Sequence, residues 1–291
     1  MTAAGAGTAT AVLQAWSFPL STVLPLLLLS ACYLRGWLHY HRTLPSRFSV
    51  ERLFAFHAGL LALFVALHSP LEAFDSLLLQ AHMCQHLLLM MVAPPLLLWS
   101  NPALPLLRGL PRWFVKHGLG PLLTWSALRR FLAFLVLPPV SWLAFALATI
   151  IWHVPASYEF ALRSPIWHAA EHACFFWTSI LFWWPVIQPW PSHPRCPEWS
   201  MIPYLLLADV INTALSAFLI FSDRLLYPSY AAARLLGVSP REDQAIAGAI
   251  MWVPGSLIYL VPAVKIAVQL LSPPGQTVRY TRISLSPKAP R

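Results

Sequence analysis

Seven apolar stretches of about twenty residues, at 18–38, 53–71, 77–99, 131–152, 165–189, 199–222 and 244–271, leave this chain few ways to fold. Twenty residues of helix rise about 30 Å, the thickness of a bilayer's hydrocarbon core. The chain is therefore expected to be all-α and polytopic: a seven-transmembrane-helix bundle over residues 18–272, preceded by a segment at 1–17 and followed by a basic tail at 273–291. Only 10% of the residues are charged and 58% are hydrophobic, whereas soluble domains carry roughly 25% charged residues. Residues 1–14 contain no Lys or Arg, so they lack the basic region of a cleaved signal, and the first stretch reads as a retained helix.

The net charge of +9 invites a nucleic-acid reading, but the basic residues lie in short connections between apolar stretches, where they act as topology determinants facing anionic lipid. Fourteen of the Lys and Arg residues fall in 35–52, 100–130, 190–198 and the tail, against four in the alternate connections. By the positive-inside rule the N-terminus is outside and the C-terminus cytoplasmic. Four cysteines form no C-x-x-C and demand neither disulfides nor a zinc finger.

Two histidine pairs stand inside the apolar stretches, His82 with His86 and His168 with His172. Residues four apart on a helix lie one turn apart and face the same way, so each pair can share an ion. Ionisable groups inside a membrane helix are costly and mark functional sites. With the N-terminus outside, His68 and His153 end their stretches at the same level, and all six imidazoles fall in the outer half. Uncharged imidazoles with free nitrogens are metal ligands. Met83, Met90 and Met251 lie nearby as secondary ligands, and thioether favours Cu(I). Copper is the first choice of metal, then zinc, then haem iron. Cys84 and Cys174 point away from the pairs and read as packing residues.

Acidic residues gather on the same side, Glu72, Asp75, Glu159, Glu171, Asp223 and Asp243; Glu72 and Glu159 read as helix-start and loop charge, and some of the others are expected to receive an N–H from a ligating imidazole. Asp209 is alone in the middle of the sixth stretch. With Asn212, Thr213 and Ser216 it makes a stripe that must face the bundle interior, as a proton or ion relay or as an interhelical anchor. Prolines at 94, 95, 138, 139, 185, 203, 254 and 262 are expected to kink helices or free carbonyls.

Three segments, HMCQHLLLMMVAPPLLL at 82–98, WHVPASYEFALRSPIWHAAEHACFFWTSILFWWPVI at 152–187 and DQAIAGAIMWVPGSLIYL at 243–260, resemble the CtaG family of cytochrome c oxidase assembly factors. This is the multi-span type associated with the caa-type oxidase, not the single-span copper chaperone that shares the name. The resemblance covers about residues 68–262. It implies a bacterial plasma-membrane protein that handles copper for a haem-copper cytochrome c oxidase, with the oxidase subunits as partners, a copper donor protein upstream, and no nucleic acid. Some relatives carry a further copper-resistance membrane domain, and the stand-alone form is expected here.

The resulting expectation is a non-enzymatic bundle that binds copper at His82, His86, His168, His172, His68 and His153. Two rivals are a zinc-dependent membrane hydrolase of the ceramidase type, using Asp209 and Ser216 with the histidines, and a haem-handling protein with axial histidines from two helices.

Overall fold

The computed structural model describes residues 14–272; residues 1–13 of the N-terminal segment and the basic tail at 273–291 lie outside the described residues. Among the described residues all regular structure is helical. Every apolar stretch is helical, the fourth as two helices, and shorter helices stand between them. In chain order the main helices are α1 (Leu20–Thr43), α2 (Val50–His68) with a single turn α3 (Pro70–Phe74), α4 (Leu79–Trp99), α5 (Ala103–Gly109), α6 (Ser126–Leu135), α7 (Pro138–His153), α8 (Pro155–Leu162), α9 (Pro165–Ile187), α10 (Met201–Phe221) and α11 (Pro240–Leu271).

Five of these units are long and apolar enough to cross a membrane: α1, α2 with α3, α4, α10 and α11. The bent pair α6 and α7 makes a sixth if it counts as one span. α9 has the length, 23 residues, but His168, Glu171, His172 and four tryptophans lower its hydropathy. Large apolar side chains such as Leu27, Leu61, Leu147, Val210 and Val261 are exposed along these helices. Apolar surface on that scale suits lipid contact, not water.

The fourth apolar stretch is not one rod. α6 ends at Leu135, α7 begins at Pro138, and their axes differ by 67°. Pro138 and Pro139 lack the N–H groups a continuing helix would need, so they can only open a new one. α6 then leaves Phe131 and Phe134 exposed beside Arg129 and Arg130, an amphipathic surface.

α4 is rebuilt by proline in a different way. Pro94 has no N–H for the Met90 carbonyl four residues back. The helix widens into a π turn over Leu88–Val92, in which the Ala93 N–H reaches the Leu88 carbonyl. The Met90 carbonyl instead accepts the Trp183 indole N–H of α9 at 3.0 Å. Such π turns recur at functional sites.

Close crossings set the remaining helices. At Gly36 a Cβ would lie 1.9 Å from the Pro105 carbonyl oxygen, and at Gly109 one would lie 1.8 Å from that of Cys32, so α1 and α5 meet backbone to backbone. α10 packs along α11, where Ser256 Oγ donates to Asp209 Oδ1 at 2.7 Å and Asn212 Nδ2 donates to the Met251 carbonyl at 3.1 Å. The polar stripe of α10 therefore faces α11. An aromatic stack of Phe145, Phe182 and Tyr204, with centroids 4.4 and 4.8 Å apart, fills the middle of the bundle.

Candidate metal centre

The first histidine pair sits one turn inside α4, whose own N-cap, Leu78, offers no side-chain acceptor. The acceptor comes from α11. Asp243 Oδ2 takes the Leu79 N–H at 2.7 Å and Oδ1 takes the Gln80 N–H at 3.2 Å. Asp243 is fully buried, and it lies in the first turn of α11, so one carboxylate serves two helix N-termini, where the backbone dipoles favour negative charge. The second pair opens α9, and His153 closes α7 with its Nδ1–H donated to the Thr149 carbonyl at 2.8 Å.

These elements bring five imidazoles from three helices together. His82 and His86 face each other with Nε2 atoms 2.7 Å apart. Ring centroids of His82 lie 5.1 Å from His168 and 5.7 Å from His172. His86 is 5.5 Å from His172 and 6.0 Å from His153, and His168 and His172 are 4.2 Å apart. Two groups offer ligand atoms that all lie within 4.8 Å of one another: His82 with His168 and His172, and His82 with His86 and Glu171. Nitrogens around a tetrahedral ion with bonds of about 2.0–2.1 Å are spaced about 3.3 Å. Shifts on the order of 1 Å would therefore seat an ion in either group.

The hydrogen bonds leave several imidazole nitrogens bare. A carbonyl only accepts, so His153 carries its proton on Nδ1, and its buried Nε2 has no hydrogen-bond partner among the described residues. His82 Nδ1 lies 3.1 Å from the Tyr230 hydroxyl, which is 2.9 Å from that of Tyr158. With Nδ1–H donated to Tyr230, the Nε2 lone pair points at His86 Nε2, 2.7 Å away, and accepts its N–H until an ion takes that place. This is the way outer hydrogen bonds orient metal-binding histidines. The Nε2 atoms of His168 and His172 and both carboxylate oxygens of Glu171 are likewise buried and unpartnered.

Two carboxyl groups approach the rings. Glu171 Oε1 is 3.7 Å from His86 Nε2, and Asp75 Oδ2 is 3.8 Å from His168 Nε2. Asp75 sits in the loop before α4. Burial and the neighbouring Glu72 carboxylate push it up to about 7.

His68 stands apart. Its Nδ1 is 3.1 Å from Ser17 Oγ, its Nε2 is 2.7 Å from Thr22 Oγ1, and Glu72 lies 3.7 Å away. Its side chain faces the start of α1 and not the other rings. Asp209 is bonded to Ser256, away from both ligand groups. Met83, Met90 and Met251 line a cavity beside His86 and His153. Cys84 and Cys174 are half-buried free thiols outside both groups.

Glu171 was legible only as a neighbour of the second pair. Its spacing from His168, three residues, puts it on the same helix face as His168 and His172, and that periodicity could have promoted it to a ligand. Tyr230 gave no such sign, and Asp243, grouped in the sequence with acceptors for an imidazole, instead caps α4; they arrive from the α10–α11 connection and from α11, more than 140 residues from His82 in sequence.

The chain is 24% identical over 258 residues to the uncharacterized protein ML1998 of Mycobacterium leprae, covering 87% of this chain and 39% of that protein. It is 27% identical over 267 residues to the uncharacterized proteins Mb0105 of Mycobacterium bovis and MT0111 of Mycobacterium tuberculosis, covering 90% of this chain and 39% of each. The chain thus spans about two-fifths of the length of these relatives. No solved structure matches it. A family model matches residues 31–272, which hold all five clustered histidines, Glu171, Tyr230 and Asp243, and the chain belongs to that family, the cytochrome c oxidase caa3 assembly factors (Caa3_CtaG).

Proposed function

We propose that this protein is a non-enzymatic, seven-span factor of the bacterial plasma membrane, with its N-terminus outside. It takes copper as cargo at His82, His86, His168, His172 and Glu171 and delivers it to a haem-copper cytochrome c oxidase subunit during assembly. The observation that carries this reading is the convergence of five imidazoles and a buried carboxylate, in which His168 Nε2, His172 Nε2 and both Glu171 oxygens have no hydrogen-bond partner among the described residues. Burying such atoms without partners costs about 1–3 kcal/mol each, and an ion removes that cost. The two ligand groups share His82, so an ion can change ligands one at a time, as a hand-over requires. The α2–α4, α7–α9 and α10–α11 connections meet around this cluster, consistent with one membrane face, which the charge distribution makes the outer one.

The rival chemistries lose support from the geometry. The hydrolase reading places Asp209 at the metal, and Asp209 is instead hydrogen-bonded to Ser256 on α11, outside both ligand groups. A haem needs a pocket of several hundred Å³, and the cavity beside His86 and His153 holds about 30 Å³. Zinc is the metal that competes for the same nitrogens.

The test is metal analysis of protein purified in detergent and loaded with Cu(II) or Zn(II). The expected result is one tightly held divalent ion in the wild type, lost when His82 and His86 are both Ala. Metal at background in the wild type, or equal metal in the variant, would refute the reading.

A further inference from the structure

Beneath the histidine cluster, toward the middle of the bundle, lies a cavity of about 30 Å³, room for one or two water-sized occupants. Met83, Met90, Met91, Met251, His86 and His153 line it. We infer that this chamber is a second binding site, a thioether and imidazole pocket for a soft monovalent cation, Cu(I). The inference rests on the copper reading above only for the identity of the cargo; the soft ligand set stands without it.

Three observations point to a ligand and not to packing alone. The chain has 6 methionines in 291 residues, and four of them line this one cavity. Methionine is a common gap-filler, but gap-filling does not gather most of a chain's methionines around one void. Second, two buried imidazole nitrogens on the lining residues, His86 Nδ1 and His153 Nε2, have no hydrogen-bond partner among the described residues; the two residues are 3% and 5% exposed. Third, the backbone is rebuilt here. Met90 and Met91 lie on the π turn over Leu88–Val92, where Pro94 frees the Met90 carbonyl and Trp183 takes it, and such turns recur at functional sites.

The donor set defines the cargo. Thioether sulfur binds Cu(I) in preference to harder divalent ions. No Asp or Glu lines the chamber, so a single positive charge is far cheaper to hold there than two. His86 belongs to both sites, since its Nε2 faces His82 while the residue also lines the chamber.

The experiment titrates the full chain in detergent with Ag(I), a redox-inert stand-in, and with Cu(I) against a competing chelator, and records X-ray absorption of the Cu(I)-loaded protein. Two variants are compared, Met90→Leu with Met251→Leu, and His168→Ala with His172→Ala. Leu conserves the volume of Met, and Met251→Leu alone serves as a second, milder variant. The expected result is sulfur neighbours around Cu(I) in the wild type and an Ag(I) and Cu(I) affinity about tenfold or more weaker in the Met variants, with Zn(II) binding unchanged. The His168/His172 variant should lose Zn(II) and keep sulfur-bound Ag(I). Wild-type Ag(I) and Cu(I) affinity in the Met variants, or a Cu(I) spectrum with nitrogen neighbours alone, would overturn the inference. A wild type that holds sulfur-bound Ag(I) but no divalent ion would uphold the chamber and refute the proposed function instead.

Discussion

Replacing Asp243 by Ala isolates the contact that aims the first histidine pair. The carboxylate accepts two N–H groups at the start of α4, from Leu79 at 2.7 Å and Gln80 at 3.2 Å. Leu79 is buried, and Gln80 is half-buried, so after substitution water can reach the second donor but not the first. A hydrogen bond to a charged group contributes about 1.5–3 kcal/mol, and losing a helix N-cap costs about 0.5–2 kcal/mol. One full loss and one partial loss give a destabilisation of about 3 kcal/mol. Asp243→Asn keeps one acceptor oxygen and should lose about half of that. Since His82 lies three residues after Leu79, fraying of this turn should also loosen the pair and weaken metal binding. The assay is thermal unfolding in detergent followed by helical circular dichroism, with Zn(II) affinity measured on the same preparations. An Ala variant that unfolds at the wild-type temperature and binds metal as tightly would refute the view that α11 caps α4.

Two further substitutions probe other parts of the same structure. Tyr230→Phe removes the hydroxyl 3.1 Å from His82 Nδ1; metal affinity should fall about 10–100-fold while stability changes by only about 1 kcal/mol, and an unchanged affinity in a titration would show that Tyr230 does not orient the ring. Gly109→Ala places a Cβ 1.8 Å from the Cys32 carbonyl oxygen and 2.5 Å from its carbon, so α1 and α5 must separate at a cost of about 1–3 kcal/mol; an unfolding midpoint equal to wild type would contradict this crossing, and metal binding at the opposite end of the bundle should be unaffected.

The helices were legible because bilayer thickness imposes one length on every span, and that length survives in the sequence whatever the packing. The histidine pairs were legible because their spacing is a helix turn. What could not be read was azimuth. His68 was placed with the other rings by depth, but its side chain faces Ser17 and Thr22. Asp209 was seen as interior, and interior turned out to mean the α11 interface, where Ser256 receives it. Long-range partners were equally hidden: nothing near Leu79 announces that its cap arrives from Asp243. The prolines at 94 and 138 look alike in sequence and act differently, because Trp183 is present to take the freed carbonyl in α4, while α6 and α7 simply part at a 67° bend.

The two proposed sites differ in charge, and that difference is what would assign them different ions. Imidazole and thioether ligands bring no charge of their own, so the carboxylates decide what each place can hold. Glu171 and Asp75 stand beside the imidazole cluster, and a dication there would find its countercharge within reach. In the chamber below, where no Asp or Glu lines the wall, a dication would keep most of its desolvation cost, whereas a monovalent ion would meet polarisable sulfur. Exchanging one methionine for leucine should then be felt by the monovalent ion alone, and exchanging Glu171→Gln by the divalent ion alone.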